Sequence, residues 1–187
     1  MSYYEDEQNA RAYIAMAEGY DGRAIIERLK AYLPLQSSVL ELGMGPGVDL
    51  DLLKEAFVAT GSDKAQPFLD RYRQAHPDAD LLVLDAATLD TDRTFDCIYS
   101  NKVLHHLTST ARAQSLAQQH GRLNEGGLIC HTFWHGDRVE EHHGLQFHYL
   151  TEAQLAEALA PHFEMLVLER YTEMETDDSV LVIARKL

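Results

Sequence analysis

Short apolar runs alternate with amphipathic stretches along most of the chain, and this alternation sets the first expectation. Ser38 to Leu42 is an apolar strand, and a helix follows over about Val48 to Ala56. Phe57 to Ser62 repeats the strand pattern and ends at Asp63. The next helix carries Pro67 in its first turn and is stopped by His76-Pro77. Leu81 to Leu84 and Phe95 to Ser100 read as the third and fourth strands. Thr108 caps a helix that ends near Gly121, and Leu128 to Phe133 is a fifth strand entered through a Gly126-Gly127 turn. Ahead of the first strand, Asp21 caps a helix with Ile25, Leu29 and Leu33 on one face, closed by Pro34. Thr151 and Gln154 form a capping box for a helix ending at Pro161. Two strands, Phe163 to Tyr171 and Val180 to Ala184, close the chain around a polar turn at Asp177-Asp178.

Strand–helix alternation predicts an α/β fold with a mostly parallel seven-stranded sheet and helices on both faces. The two closing strands have too little chain between them for a helical crossover. They are therefore antiparallel to one another. The length of 187 residues suits a single domain over residues 1–187.

Within this frame the segment Val39 to Gly47 stands out. Glycines at 43, 45 and 47 follow a strand and open a helix, so the chain turns sharply and bare backbone faces a ligand. The spacing departs from the dinucleotide fingerprint Gly-x-Gly-x-x-Gly, because position 48 is Val. Glu41 precedes the first glycine, and Asp63 ends the next strand. A carboxylate there is suited to accept hydrogen bonds from both hydroxyls of a ribose.

In these motifs the sequence resembles the class I, Rossmann-like S-adenosylmethionine (SAM)-dependent methyltransferases. Glu-Leu-Gly-Met-Gly-Pro-Gly (41–47) is similar to their glycine loop and Gly-Ser-Asp-Lys (61–64) to their ribose-holding strand end. Leu-Asp-Ala-Ala (84–87) is similar to the third strand end, and residues 95–107 to the fourth strand and the loop beyond it. The resemblance implies SAM as cofactor and S-adenosylhomocysteine (SAH) as product. It implies a cofactor site of Tyr20, Glu41, Gly43, Met44, Gly45, Gly47, Asp63, Lys64, Asp85, Ala86, Ser100 and Asn101. Asp85 would take the adenine amino group and Ala86 offer a backbone amide to the ring, although Asp85 also reads as a strand-end cap. Lys64 departs from the small or apolar residue usual beside adenine; its stem can pack on the ring while its ammonium reaches water. Met44 is likewise unusual in the loop.

Histidines after the fourth and fifth strands, His105, His106 and His135, are candidates for a general base, with packing as the competing role. Residues 131–149 are expected to form an acceptor-side segment. Residues 1–20, with Tyr3, Tyr4, Tyr13 and Tyr20, form a candidate lid in which Tyr20 lies near the SAM carboxylate and Tyr13 near the acceptor.

Charge and composition narrow the partners. Sixteen basic and thirty acidic residues give a net charge of −14, which disfavours long nucleic acid. No apolar stretch approaches a membrane span and the N-terminus has no signal-peptide character, so the expectation is a cytoplasmic chain without a membrane partner. Cys97 and Cys130 lie in apolar strands and read as reduced buried thiols. The histidine spacings match no compact zinc pattern, so no metal is expected. A small-molecule acceptor attacked through O, N or S is therefore favoured. Two alternatives stand beside it: a catalytically silent SAM-binding partner or regulatory protein, and an NAD-dependent oxidoreductase.

Overall fold

The computed structural model describes residues 6–16, 19–142 and 144–187. The predicted strands form one seven-stranded sheet: β1 (Ser38–Leu42), β2 (Val58–Asp63), β3 (Leu81–Val83), β4 (Phe95–Asn101), β5 (Leu123–Trp134), then β8 (Phe163–Tyr171) and β9 (Ser179–Lys186). A separate two-stranded hairpin, β6 (Arg138–His142) and β7 (Leu145–Tyr149), stands between β5 and β8 in the chain. The sheet order is β3-β2-β1-β4-β5-β9-β8. The first five strands pair in parallel, while β9 runs antiparallel to both β5 and β8.

Alternating side chains explain why both faces of this sheet are covered. Val39, Cys97, Tyr99, Leu128, Cys130 and Ile183 belong to one core with Ile25, Leu29, Leu53 and Leu69. Those last four come from the helices α2 (Arg23–Leu29), α3 (Val48–Lys54) and α4 (Gln66–Ala75). Leu40, Leu42, Ile98, Ile129 and Val182 face a second core with Leu116, Leu155 and Leu159. These belong to α5 (Ser109–Arg122) and α6 (Glu152–Leu159). Burial of such strand residues on both faces is the mark of a parallel sheet.

Local signals were kept in most places. Thr108 Oγ1 accepts from the Ala111 amide, and Thr151 and Gln154 make the reciprocal capping box. Asp21 differs: Gly22 occupies the N-cap of α2, and Asp21 Oδ1 instead accepts from the Arg23 amide. The Gly126-Gly127 turn lies inside β5 as an irregularity. Phe95 pairs with Leu123 and Cys97 already with Leu128, which gives Gly126 its φ of 69°. Cys97 and Cys130 are free thiols, fully buried, and burial raises both pKa values. Asp96 ties two strands together, with Oδ2 accepting from the Ser38 amide at 2.8 Å and Oδ1 from Asn124 at 2.7 Å.

The sheet order reverses between β1 and β4. In open α/β sheets the ligand crevice lies at the carboxyl ends of the strands flanking that reversal.

Candidate active site

The glycine loop follows β1 at this switch point. Gly43, Gly45 and Gly47 all have positive φ (66°, 50° and 88°). Their roles divide. A Cβ on Gly43 would stand 2.7 Å from Val103, and one on Gly47 would overlap the Tyr72 ring, so these two glycines allow close packing. A Cβ on Gly45 would meet only Tyr13, at 3.5 Å, and Gly45 lines the cleft. Gly47 does not line the cleft; it is the N-cap of α3.

Asp63, at the end of β2, locks the loop. Its Oδ2 accepts from the Gly45 amide at 3.0 Å and its Oδ1 from the Ala65 amide at 2.8 Å. Each oxygen keeps a further lone pair for a ligand hydroxyl. Burial raises the Asp63 pKa, against the opposing pull of these amides and Lys64.

Two adjoining spaces of about 800 and 1060 Å³, open solvent included, make up the cleft. The first is lined by Asp63, Lys64, Phe68, Leu84, Asp85 and Ala86, with Leu107 at its back. Its apolar walls between Phe68 and Leu84 and its polar edge at Asp85 suit a purine. Asp85 Oδ1 already accepts from the Ala87 amide at 2.8 Å, so its cap role is real; Oδ2 lies 4.0 Å from the Lys64 ammonium. The second space holds Tyr20, Glu41, Met44, Asp49, His105 and Trp134, with Gly43, Gly45, Asn101 and Lys102 shared between the two.

Glu41 is 3% exposed, and its Oε2 has no hydrogen-bond partner. Burial, then the charges of Asp49, Asp63 and Asp51, raise its pKa well above the ordinary carboxylate range. A buried carboxyl group without a partner, facing a cleft, fits a ligand ammonium. Asp49, which the sequence did not single out, joins three segments at the first turn of α3. It accepts from the Gly22 amide (2.6 Å), the Tyr99 hydroxyl (2.7 Å) and Asn101 Nδ2 (3.1 Å).

Asn101 is thus held from both ends, since its Oδ1 also accepts from Thr132 Oγ1 at 2.5 Å. Ser100, its neighbour, turns away from the cleft. Its hydroxyl is 2.8 Å from His131 Nδ1, and His131 Nε2 is 2.7 Å from Gln119 Oε1. Gln119 Nε2 donates to Ser115 Oγ (3.1 Å), which donates to the Ala86 carbonyl (2.6 Å). Donor counting fixes His131 as the Nε2–H tautomer and runs this chain in one direction, from the end of β4 to the Asp85–Ala86 edge.

Lys102 is the other residue that sequence reasoning passed over. It has a left-handed φ of 55°, and its ammonium contacts Glu173 (2.9 Å) and the face of Trp134 (3.7 Å). Burial lowers its pKa, while Glu173 acts in the opposite direction. No periodicity signals such a conformation in advance.

Of the three candidate histidines, His105 and His106 line the cleft. His135 does not: its Nε2 stands 3.2 Å from Glu152 Oε2, misaligned for a hydrogen bond. Tyr13, on the helix α1 (Glu7–Met16), reaches both spaces and meets Phe68 edge-on at 5.9 Å, and Tyr20 lines the second space. Tyr3, Tyr4 and His143 lie outside the described residues. Among the described residues no group of three or more His, Cys, Asp or Glu is arranged to hold a metal, and no helix is long and apolar enough to cross a membrane.

The glycine loop, the ribose-suited carboxylate and the switch-point cleft are arranged as in the Rossmann-like methyltransferase fold. The comparisons agree. A family model described as a methyltransferase domain matches residues 39–127. Among solved structures, the 1,6-didemethyltoxoflavin-N1-methyltransferase of Burkholderia thailandensis, bound to 1,6-didemethyltoxoflavin and SAH, superposes with a TM-score of 0.81. Its identity to this chain is 24%, over 94% of this chain and 82% of that one. The N-methyltransferase NodS from Bradyrhizobium japonicum, in complex with SAH, gives 0.75 at 15% identity over 99% of both chains. The glycopeptide N-methyltransferase MtfA with SAH gives 0.75 at 16% identity, over 90% of this chain and 91% of that one. Residues 39–127 are therefore a methyltransferase domain, the fold around them is that of the class I SAM-dependent methyltransferases, and SAM is the cofactor that this fold carries.

Proposed function

We propose that the protein transfers the methyl group of SAM to a small-molecule acceptor through O, N or S. The observation that carries this reading is the switch-point cleft, where the Asp63-locked glycine loop and the unpartnered Glu41 carboxyl group face one continuous space. The sulfonium of SAM supplies an already activated methyl group. The chain's own work is to bind, orient and exclude water.

In this reading Asp63 takes the ribose hydroxyls, Phe68, Leu84, Asp85 and Ala86 receive adenine, and Glu41 with Asn101 meets the methionine ammonium. Tyr13 and Tyr20 cover the cleft from the N-terminal segment, and the β6–β7 hairpin bounds the acceptor side. Of the relatives named above, one binds 1,6-didemethyltoxoflavin and another is a glycopeptide N-methyltransferase, which favours a small acceptor here. The net charge of −14 weighs against long nucleic acid.

Incubation of the protein with radiolabelled SAM and a small-metabolite extract tests the reading. Label is expected in a low-molecular-mass product together with SAH. Label only in macromolecules, or no SAH formed, would count against it. Removal of residues 1–19 is expected to weaken SAM binding; unchanged affinity would dismiss the lid.

A further inference from the structure

His105 is 1% exposed, yet neither ring nitrogen has a hydrogen-bond partner. Its neighbours are treated differently. His106 Nδ1 is 2.9 Å from the Gln146 carbonyl, and both nitrogens of His131 are occupied. Leaving a buried polar group unmet is costly, and His105 holds two such groups in a place where the chain offers no relief. That place is the wall of the second space of the cleft, beside the glycine loop.

The surrounding wall is made of flat rings. The His105 ring is stacked on Phe147 at 5.3 Å and 28°, and lies 4.0 Å from the His106 ring. Phe147, His106 and Trp134 line the same space. Burial, then the charges of His106, Lys102, His148 and Arg112, keep the imidazole neutral, with one donor and one acceptor nitrogen. The Lys102 ammonium is committed to Glu173, so among the described residues the wall offers no free cation to a carboxylate or phosphate. Asp21 and Asp49 on the same space repel anions further. A protonated amine lacks the lone pair needed for attack.

We propose, on the basis of the methyltransferase reading above, that the acceptor is an uncharged planar heteroaromatic ring with an N–H or O–H group, seated against Phe147 and hydrogen-bonded to His105. The lone pair of the ring nitrogen or oxygen forms the bond to the methyl carbon, and the carbon–sulfur bond breaks with its electrons passing to sulfur, giving neutral SAH. The methylated ring is then cationic and acidic at its N–H or O–H. It gives that proton to the unprotonated nitrogen of His105, which releases it to water.

Saturation-transfer NMR on the SAH-loaded protein tests this with lumazine as the ring probe and butylamine and benzoate as non-matching probes. Lumazine is expected to bind at millimolar concentration and the other two not to. His105→Phe is expected to weaken lumazine binding about tenfold, the scale of one hydrogen bond, while SAH affinity stays within about twofold. Because it removes two unmet polar groups, this variant should also melt higher. Phe147→Ala, on the half-exposed hairpin, provides a second variant with the same expected loss. No lumazine binding, preferred binding of butylamine or benzoate, or lumazine binding unaffected in both variants would overturn the proposal. Failure of SAH to bind, seen before any probe is added, would overturn the methyltransferase reading itself.

Discussion

Single residues carry the chemistry of the cleft, and Asp63 is the plainest. Its carboxylate serves the loop and, in the proposed function, the ribose. Asp63→Ala removes two ligand hydrogen bonds to a charged acceptor, about 2–3 kcal/mol together, so SAH affinity should fall about 30- to 150-fold by calorimetry. A change under about threefold would remove Asp63 from the ribose site. Glu41 makes a prediction of a different kind. Burial raises its pKa well above the ordinary carboxylate range, which favours the protonated form in the ligand-free fold. The fold binds a proton there that the unfolded chain gives up above the ordinary carboxylate range. The stability of the ligand-free protein is thus highest at low pH with respect to this group and declines as pH rises toward the folded pKa. A ligand ammonium reverses the preference, so SAH binding near neutral pH should expel a proton. Titrations in two buffers of different ionisation enthalpy should show that release in the wild type and not in Glu41→Gln. Equal heats of binding in the two buffers for the wild type would contradict the pairing. Gly47 tests packing instead. At φ 88° and against Tyr72, Gly47→Ala should destabilise by about 2–4 kcal/mol in urea unfolding.

At the scale of elements, the strands and helices of the sheet were legible because burial on two faces writes continuous apolar runs, and because Thr108 and Thr151 mark helix starts by chemistry alone. The β6–β7 hairpin was not. Arg138-Val-Glu-Glu-His and Leu145-Gln-Phe-His-Tyr bury little, so their alternation is diluted by charge, and position 131–149 read only as an acceptor-side segment. Lys102 and Asp49 escaped for another reason: their partners, Glu173 and Trp134 in one case and Gly22 and Tyr99 in the other, are distant in sequence. Ser100 was placed correctly at a strand end, but its side chain joins the buried Ser100–His131–Gln119–Ser115–Ala86 chain rather than the cleft. That chain has its own pH signature. Burial lowers the His131 pKa from 6.5 to about 3. The unfolded chain therefore binds a proton that the fold excludes. This stability is complete above 6.5 and is lost as pH falls toward 3, by up to about 1.4 kcal/mol per pH unit. Urea midpoints measured down this window should fall less steeply in His131→Gln than in the wild type; parallel slopes would mean that His131 is not held neutral.

The whole molecule combines an acidic surface with a cleft placed by topology. The reversal of strand order between β1 and β4 brings the glycine loop, the end of β2 and the His105–His106 turn to one edge of the sheet. Two cores, one on each face, hold those strand ends in register. Motif order along the chain announced this geometry, since each motif sits just past a strand. Beyond the His105–His106 turn the acceptor wall was less legible, because Trp134, Phe147 and Glu173 lie outside the sequence motifs. The central claim is that this cleft takes SAM in preference to a dinucleotide. Calorimetric titration of the purified protein with SAH and with NAD tests it most directly. One SAH bound per chain, with no heat from NAD, is the predicted result; saturable binding of NAD without binding of SAH would contradict it.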